Sequence, residues 1–524
     1  MLQISGLRLP LSATEQDALE AARKRVGLSA SSVVSGGVSK ISVDARHGKV
    51  CFVYGVLLTL QPRLDESKFI GVPGVSVRQT KPLVIGRGSK AAGQPVVCGL
   101  GPAGLFAALL LAKQGARPIV LERGPAIEER AAKVERFNLT GELDENANIQ
   151  FGEGGAGTFS DGKLVTRIGD ERCDYVTEVL LQHGAPQEIA LRAKPHIGTD
   201  ELRGVITSIR KEIEALGGEV HFNTRLTGLL TANGRLTGVA TTAGDIATEV
   251  LVLAVGHSAR DVFEFLPRYE VKMAAKPFSV GFRVEHLQRE VDRALYHEAA
   301  GHPALPPGEY QLSTHVGDRG VYTFCMCPGG QVVAAASEAE HLCTNGMSYH
   351  ARDGENANAA VVVGVLDSDF NGDPAKAIAF QRELEARAYK VHGGYVAPAE
   401  NVPSFLRGEG QLYVGSVRPT YPRGVAAADL GSLLPNHLTR ALREGIARFE
   451  KKQTGFCAPD AILTGLETRT SSPVRIARRA DTCSETIEGL YPCGEGAGYA
   501  GGIVSAAVDG LRVAQNILET YSFS

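Results

Sequence analysis

The stretch that most constrains this chain is residues 95–124, PVVCGLGPAGLFAALLLAKQGARPIVLERG. A short apolar strand at 95–98 runs into Gly99, Gly101 and Gly104, spaced G-x-G-x-x-G, and an apolar helix follows over roughly 102–114. The first glycine permits a tight turn, the second lets backbone approach a pyrophosphate, and the third lets the helix pack closely on the strand. Pro102 suits a first-turn position, and with Ala103 it opens a helix whose positive end and free N–H groups point at phosphates. The second strand, PIVLE, ends at Glu122, 18 residues past Gly104 and near the distance from which an acid reaches adenosine ribose hydroxyls. Strand, turn, helix, strand and terminal acid together specify an adenine dinucleotide. A glycine turn in a ligand-free sheet would not need Glu122.

A second match to the spacing, Gly152, Gly154 and Gly157 in NIQFGEGGAGTFSDGKL, has no apolar strand before it and no helix after it. It is expected to be a loop laid against the same cofactor, which makes Gly155, Ala156 and Gly157 candidate contacts.

At 524 residues the chain is too long for one core, so two or three domains are expected. A formal net charge of −3 argues against a general nucleic-acid binder. No secretory signal is recognisable at the N-terminus, and the apolar run 105–112 is far shorter than the roughly 20 residues of a membrane span. A cytoplasmic protein is expected, with its nine cysteines reduced.

Residues 1–92 look like a small α+β (ferredoxin-like) domain and linker. Ser12 or Thr14 caps a helix over EQDALEAARKRVG, and KISVDARHGKVCFVYGVLLTL forms a hairpin. Lys40, Arg46, His47 and Lys49 make the hairpin tip basic, as a solvated turn or as a contact for a partner or RNA. The glycine-rich, polar segment 77–94 serves as the linker. Residues 93–270 and 461–524 read as one discontinuous α/β domain, Rossmann-like, three-layered and with a mostly parallel sheet. A mixed α+β substrate domain over 271–460 interrupts it.

At this point the chain resembles flavoproteins of the glutathione-reductase-like class and, within it, the uncharacterised FAD-dependent dehydrogenases. The resemblance implies FAD as cofactor, with Glu122 as the ribose acid and Arg123 and Arg130 as basic positions around the phosphates. It further implies adenine contact at Leu226 in EVHFNTRLTGLL and a strand-turn beside the cofactor at Ala254, Val255 and Gly256. In EGLYPCGEGAGYAGGIVSAAVDGL, Gly494 and Glu495 resemble the Gly-Asp pair whose acid binds the ribityl chain. The helix starting near Ile503, behind Gly501 and Gly502, would present its N-terminus to the flavin pyrimidine and stabilise the reduced anion.

A flavin supplies hydride chemistry, so the protein must orient a substrate near it. Asp161 and Lys163 in TFSDGKL are candidates for flavin or substrate contact, or are solvated loop charges. His196 and His257 are candidate proton donors, although a cap at Ser258 with Asp261 also explains the latter motif. Arg469 and Arg475 suit an anionic substrate, FAD anchoring or a domain-interface ion pair. Tyr499 donates a hydrogen bond or packs. Cys325 and Cys327 share one face of a strand as buried core thiols, and no metal site is expected even with Cys343.

The expected function is an FAD-dependent oxidoreductase transferring hydride through N5 to or from a small anionic metabolite. NAD(P)H, for which no second nucleotide fold is visible, would bind transiently. The alternatives are a flavoprotein acting on RNA through its N-terminal domain, and a flavin-fold binding protein without redox turnover.

Overall fold

The computed structural model describes residues 1–79 and 82–523, apart from the His47 side chain, so the expectations for Thr80 and Lys81 in the linker and for the His47 side chain lie outside the described residues. A parallel five-stranded sheet runs in the order Leu490–Pro492, Leu251–Leu253, Val96–Cys98, Ile119–Leu121, Glu219–His221. From Val96–Cys98 the chain winds outward through two strands. It then returns to the other side of its starting strand at Leu251–Leu253, which makes the gap between these two strands a topological switch point. Ligands bind outside the carboxyl ends of strands at such a point.

The helix Pro102–Lys113 is buried on every side from Ala103 to Ala112, which its composition requires. The Ile503–Thr520 helix lies against it so closely that a Cβ at Gly510 would overlap the Ala103 carbonyl. A three-stranded meander, Leu226–Ala232, Arg235–Thr241 and Gly244–Ala247, precedes the fourth parallel strand.

Between Leu253 and Leu490 the chain builds a seven-stranded sheet, ordered Ser313–Val316, Arg319–Cys327, Asn356–Val365, Phe278–Leu287, Ile462–Glu467, Ala397–Asn401, Val425–Ala427. All its pairs are antiparallel except the last. The expected boundary at 461 is therefore displaced, because Ile462–Glu467 is an interior strand of this sheet. The chain re-enters the parallel region through Val474–Ile476, paired with Met273–Ala275. Register explains the shift: Ile462–Glu467 finds its hydrogen-bond partners on Phe278–Leu287 and Ala397–Asn401.

The N-terminal sheet, Val33–Asp44, Cys51–Leu60, Leu2–Leu9, Val75–Val77, is antiparallel throughout. Its order is that of a split β-α-β unit whose second crossover is a single 3₁₀ turn, Glu66–Phe69. Thr14, not Ser12, caps the helix Glu15–Arg25, in a capping box with Asp17. At the hairpin tip Arg46 is paired with Asp44, which also holds Arg8. The linker is pinned, since Lys90–Ala92 pairs with Tyr521–Phe523. No helix among the described residues is long and apolar enough to cross a membrane.

A buried ion cluster ties the two large sheets together. Arg260, on the helix Arg260–Phe265, donates to both oxygens of Glu385 at 2.8 and 2.9 Å, and Arg469 donates to the same carboxylate at 3.0 and 2.8 Å. Glu385 sits on the helix Pro374–His392 and is fully buried, and Glu338 adds a second acid to Arg260 at 2.7 Å. Removing the shared carboxylate leaves buried Arg469 without an acid and Arg260 with Glu338 alone, which costs on the order of 3–5 kcal/mol. Glu385→Ala is accordingly expected to lower the thermal and urea midpoints sharply, and an unchanged melt would refute this role.

Candidate functional site

The switch point opens into a cavity of about 1340 Å³. Its wall begins at the glycine turn. Gly99 has φ +101°, and a Cβ there would overlap the carbonyl of Ala254 on the neighbouring strand end. A Cβ on Gly104 would overlap the Gly99 carbonyl, so this glycine serves helix-on-strand packing and lies behind the cavity surface. Gly101 differs: the nearest atom to its Cβ position is Gly155 Cα at 3.8 Å, and with Pro102 and Ala103 it faces the cavity. The turn Gly155–Phe159 lies against Gly101, and Gly154 N–H donates to the Leu100 carbonyl at 2.9 Å. Gly155, Ala156 and Gly157 line the same wall, with Gly157 close to Ile503.

Glu122 follows the second strand and lines the cavity. Its carboxylate accepts N–H groups of Leu100, Gly124 and Gly152 at 3.0, 3.0 and 3.1 Å, which fixes it without a cationic partner. Arg123 also lines the cavity, but its guanidinium stacks on Phe151 and donates to both oxygens of Asp261 at 2.8 and 2.7 Å. Asp261 therefore does not close a cap with Ser258. The Ser258 hydroxyl instead meets His257 Nδ1 at 2.9 Å and donates to Gln150 at 3.3 Å.

Arg130 corrects a second expectation. It is fully buried behind the cavity wall, and its guanidinium donates to the carbonyls of Asn148, Ile149, Gly152, Glu153 and Gly155 at 2.6–3.3 Å. It shapes the loop that faces the ligand. Burial pulls its pKa down to about 9, which still leaves it charged at neutral pH.

Leu226, Ala254 and Gly256 line the cavity beside the turn, and Glu495, Gly502 and Ile503 close it from the C-terminal segment. Gly494 sits behind it, tethered through its N–H to Asp509 at 2.7 Å, while Asp509 pairs with Arg478. The sequence reading missed Asp509, although an acid in the middle of the apolar helix 503–520, amid apolar and small neighbours, is a legible signal. The Glu495 carboxylate has no hydrogen-bond partner among the described residues, its carbonyl accepting the Gly498 N–H at 2.9 Å. Burial lifts its pKa to about 7 against the pull of Lys276. Tyr499 packs under Arg478, and its hydroxyl donates to the Ile476 carbonyl at 2.9 Å.

The candidate chemical groups divide. Lys163 and His257 line the cavity. Asp161 does too, but Arg352 and Ser348 already occupy its carboxylate. Arg469 reaches the cavity edge while committed to Glu385, and Arg475 is exposed, with one guanidinium nitrogen on the Gly498 carbonyl at 3.1 Å. Neither arginine offers an anion a free guanidinium facing the cavity. His196 lies outside the lining, its Nε2 on the His350 carbonyl at 3.0 Å, and burial lowers its pKa. For His257, burial and then the charges of Arg469 and Arg260 depress the pKa from 6.5 to about 3. Neither histidine is an imidazolium donor near neutrality; His257 presents a neutral ring.

Cys325 and Cys327 do not share a strand face. A bulge between Phe324 and Cys327 and a φ of +41° at Cys325 turn that thiol into the cavity, while Cys327 stays buried. The Cys325 carbonyl is held by Arg283, itself locked to Glu467.

Residues 277–470 match the family described as FAD-dependent protein, C-terminal domain-like. An uncharacterised protein of Clostridium beijerinckii is 50% identical over 432 residues, covering 82% of this chain and 81% of its own. The chain belongs to one family with that protein, and FAD is its cofactor. Lower similarity reaches solved structures such as glycine oxidase from Bacillus cereus, at 11% identity and TM-score 0.31 over 82% of this chain and 98% of that one. L-amino acid deaminase from Proteus vulgaris matches at 13% identity and TM-score 0.33, over 85% and 96%. Matches this weak bear on neither substrate nor reaction.

Because unfolded His257 titrates at its ordinary 6.5 and the folded residue near 3, the unfolded chain binds the extra proton between these values. Stability supplied by the neutral ring is complete above 6.5 and drains away as pH falls towards 3. His257→Gln is expected to flatten the pH dependence of the melting temperature across that window. An identical slope in the variant would contradict the assignment.

Proposed function

We propose that this protein is an FAD-dependent oxidoreductase, affiliated through its two glycine segments with the glutathione-reductase-like class, whose small anionic substrate meets the flavin in the switch-point cavity. The observation that carries this is the meeting of two helix N-termini, at Gly101–Pro102 and Gly502–Ile503, on one cavity, although some 400 residues separate them in sequence. Each is headed by a glycine whose Cβ position faces space or only a distant atom, so the cradle is open on the cavity side.

When bound, FAD supplies hydride transfer at N5. Glu122, held by three amides, accepts from the adenosine ribose hydroxyls, and Gly101 to Ala103 present N–H groups and the helix dipole to the pyrophosphate. The Glu495 carboxylate, unpartnered and facing the cavity, holds the ribityl hydroxyls, and the helix at Ile503 places its positive end by the ring system. Arg130 fixes the Gly152–Gly155 loop against the same surface. Neutral His257, oriented by Ser258, donates or accepts a hydrogen bond at the substrate side. Among the described residues the seven-stranded sheet, antiparallel but for one edge pair, offers no second nucleotide cradle. This supports a transient NAD(P)H reductant or a substrate that itself gives up the hydride.

The protein as purified is expected to carry the visible absorbance of oxidised flavin and to bleach on anaerobic photoreduction. Glu122→Gln should weaken FAD binding by about 10–100-fold, the loss of a charge-assisted hydrogen bond. Gly101→Val should abolish FAD binding while the fold persists by circular dichroism. Full FAD affinity in both variants would refute the assigned cradle.

A further inference from the structure

The cavity is larger than the roughly 300–1,000 Å³ of ordinary small-molecule sites, and it continues past the glycine turns to a second end. There the segments 161–164 and 195–198 run antiparallel, with Leu164 N–H on the Pro195 carbonyl and Ile197 N–H on the Gly162 carbonyl, at 2.9 and 3.1 Å. This pairing brings Lys163 and Lys194 to the same carboxylate, Glu309, at 3.7 and 3.8 Å. Both separations exceed hydrogen-bond length, so neither ammonium group is satisfied by it. Asp161 and Glu467, the other acids at this end, are consumed by Arg352 and Arg283. Two ammonium groups thus share one free carboxylate, and the exposed Arg167 lines the same end, so positive charge is in excess at this cavity wall.

Another part of the lining is apolar. On the strand Arg319–Cys327, Val321 packs on the helix at Gly445, so its neighbours Tyr322 and Phe324 present their rings to the cavity. The loop after Lys163 brings Val165 and Ile168, exposed at 51% and 39% yet lining the same space. Apolar side chains left accessible in one cavity mark a binding surface.

We infer that this end of the cavity binds an amphipathic carboxylate, its charged group between Lys163 and Lys194 and its apolar or aromatic body among Tyr322, Phe324, Val165 and Ile168. The inference rests on the proposed oxidoreductase in so far as this ligand is its substrate class. It moves anion recognition from Arg469 and Arg475 to a pair of lysines. Glu309 tempers the excess positive charge, so removing its charge tightens anion binding.

The test is calorimetric titration of the purified holoprotein with phenylbutyrate, phenylbutyramide and acetate, with FAD content measured on the same samples. Phenylbutyrate should bind about tenfold or more tightly than the neutral amide, which lacks the charge, and than acetate, which lacks the body. A Lys163→Met, Lys194→Met double variant should lose the preference for carboxylate over amide, and Glu309→Gln should strengthen phenylbutyrate binding. Equal affinities, no binding, or a carboxylate preference that survives in the double variant would overturn the inference. The two proposals fail separately: binding intact in a protein without flavin sinks the flavin assignment, and flavin bound without carboxylate binding sinks this subsite.

Discussion

The structure depends on backbone meeting backbone at the switch point. Gly99 lies against Ala254 across two parallel strands, and Gly104 lies against Gly99 across the turn, with no room for a Cβ at either glycine. That approach brings the Pro102–Lys113 helix down onto the sheet and aims its N-terminus outward. It also leaves a gap between strand ends, through which the chain departs after Leu253 and to which it returns at Leu490. The large inserted sheet can then roof the gap, and the C-terminal helix can settle against the first one at Gly510.

Buried charge does the remaining positioning. A buried guanidinium is costly unless all its donors are used, and Arg130 uses its donors on five carbonyls, converting a glycine-rich loop into a fixed wall. Glu122, Asp509 and Glu385 do the same with amides or cations. Asp509 and Glu385, neutralised by arginines, are poor ligand contacts, whereas Glu122, held by amides, keeps its charge at the cavity wall. Those left over, Glu495, Lys163 and Lys194, are the ones with an unsatisfied side towards the cavity.

The local elements were legible because they follow from short-range rules. The G-x-G-x-x-G turn, the proline at the first helical position and the acid after the second strand are all set by neighbours within about thirty residues. Misassignments came where one residue type serves two purposes. Arg130 sits at a position that suits phosphate contact, and only its burial reveals five carbonyl partners. Asp261 has capping-box spacing, but Arg123 competes for it from 138 residues away. Cys325 and Cys327 would share a face by strand alternation, yet one bulged residue breaks that rule.

By itself, then, the sequence determined a strand, glycine turn and helix at 96–113 and a distant glycine segment heading the last helix. Those are properties of backbone shape, and glycine spacing encodes them directly. Which charged side chains remain available, which end of the cavity is cationic and which wall is apolar were decided only by the tertiary structure. An ion pair is a contact in space, and nothing in the spacing of Lys163, Lys194 and Glu309 along the chain tells that they meet.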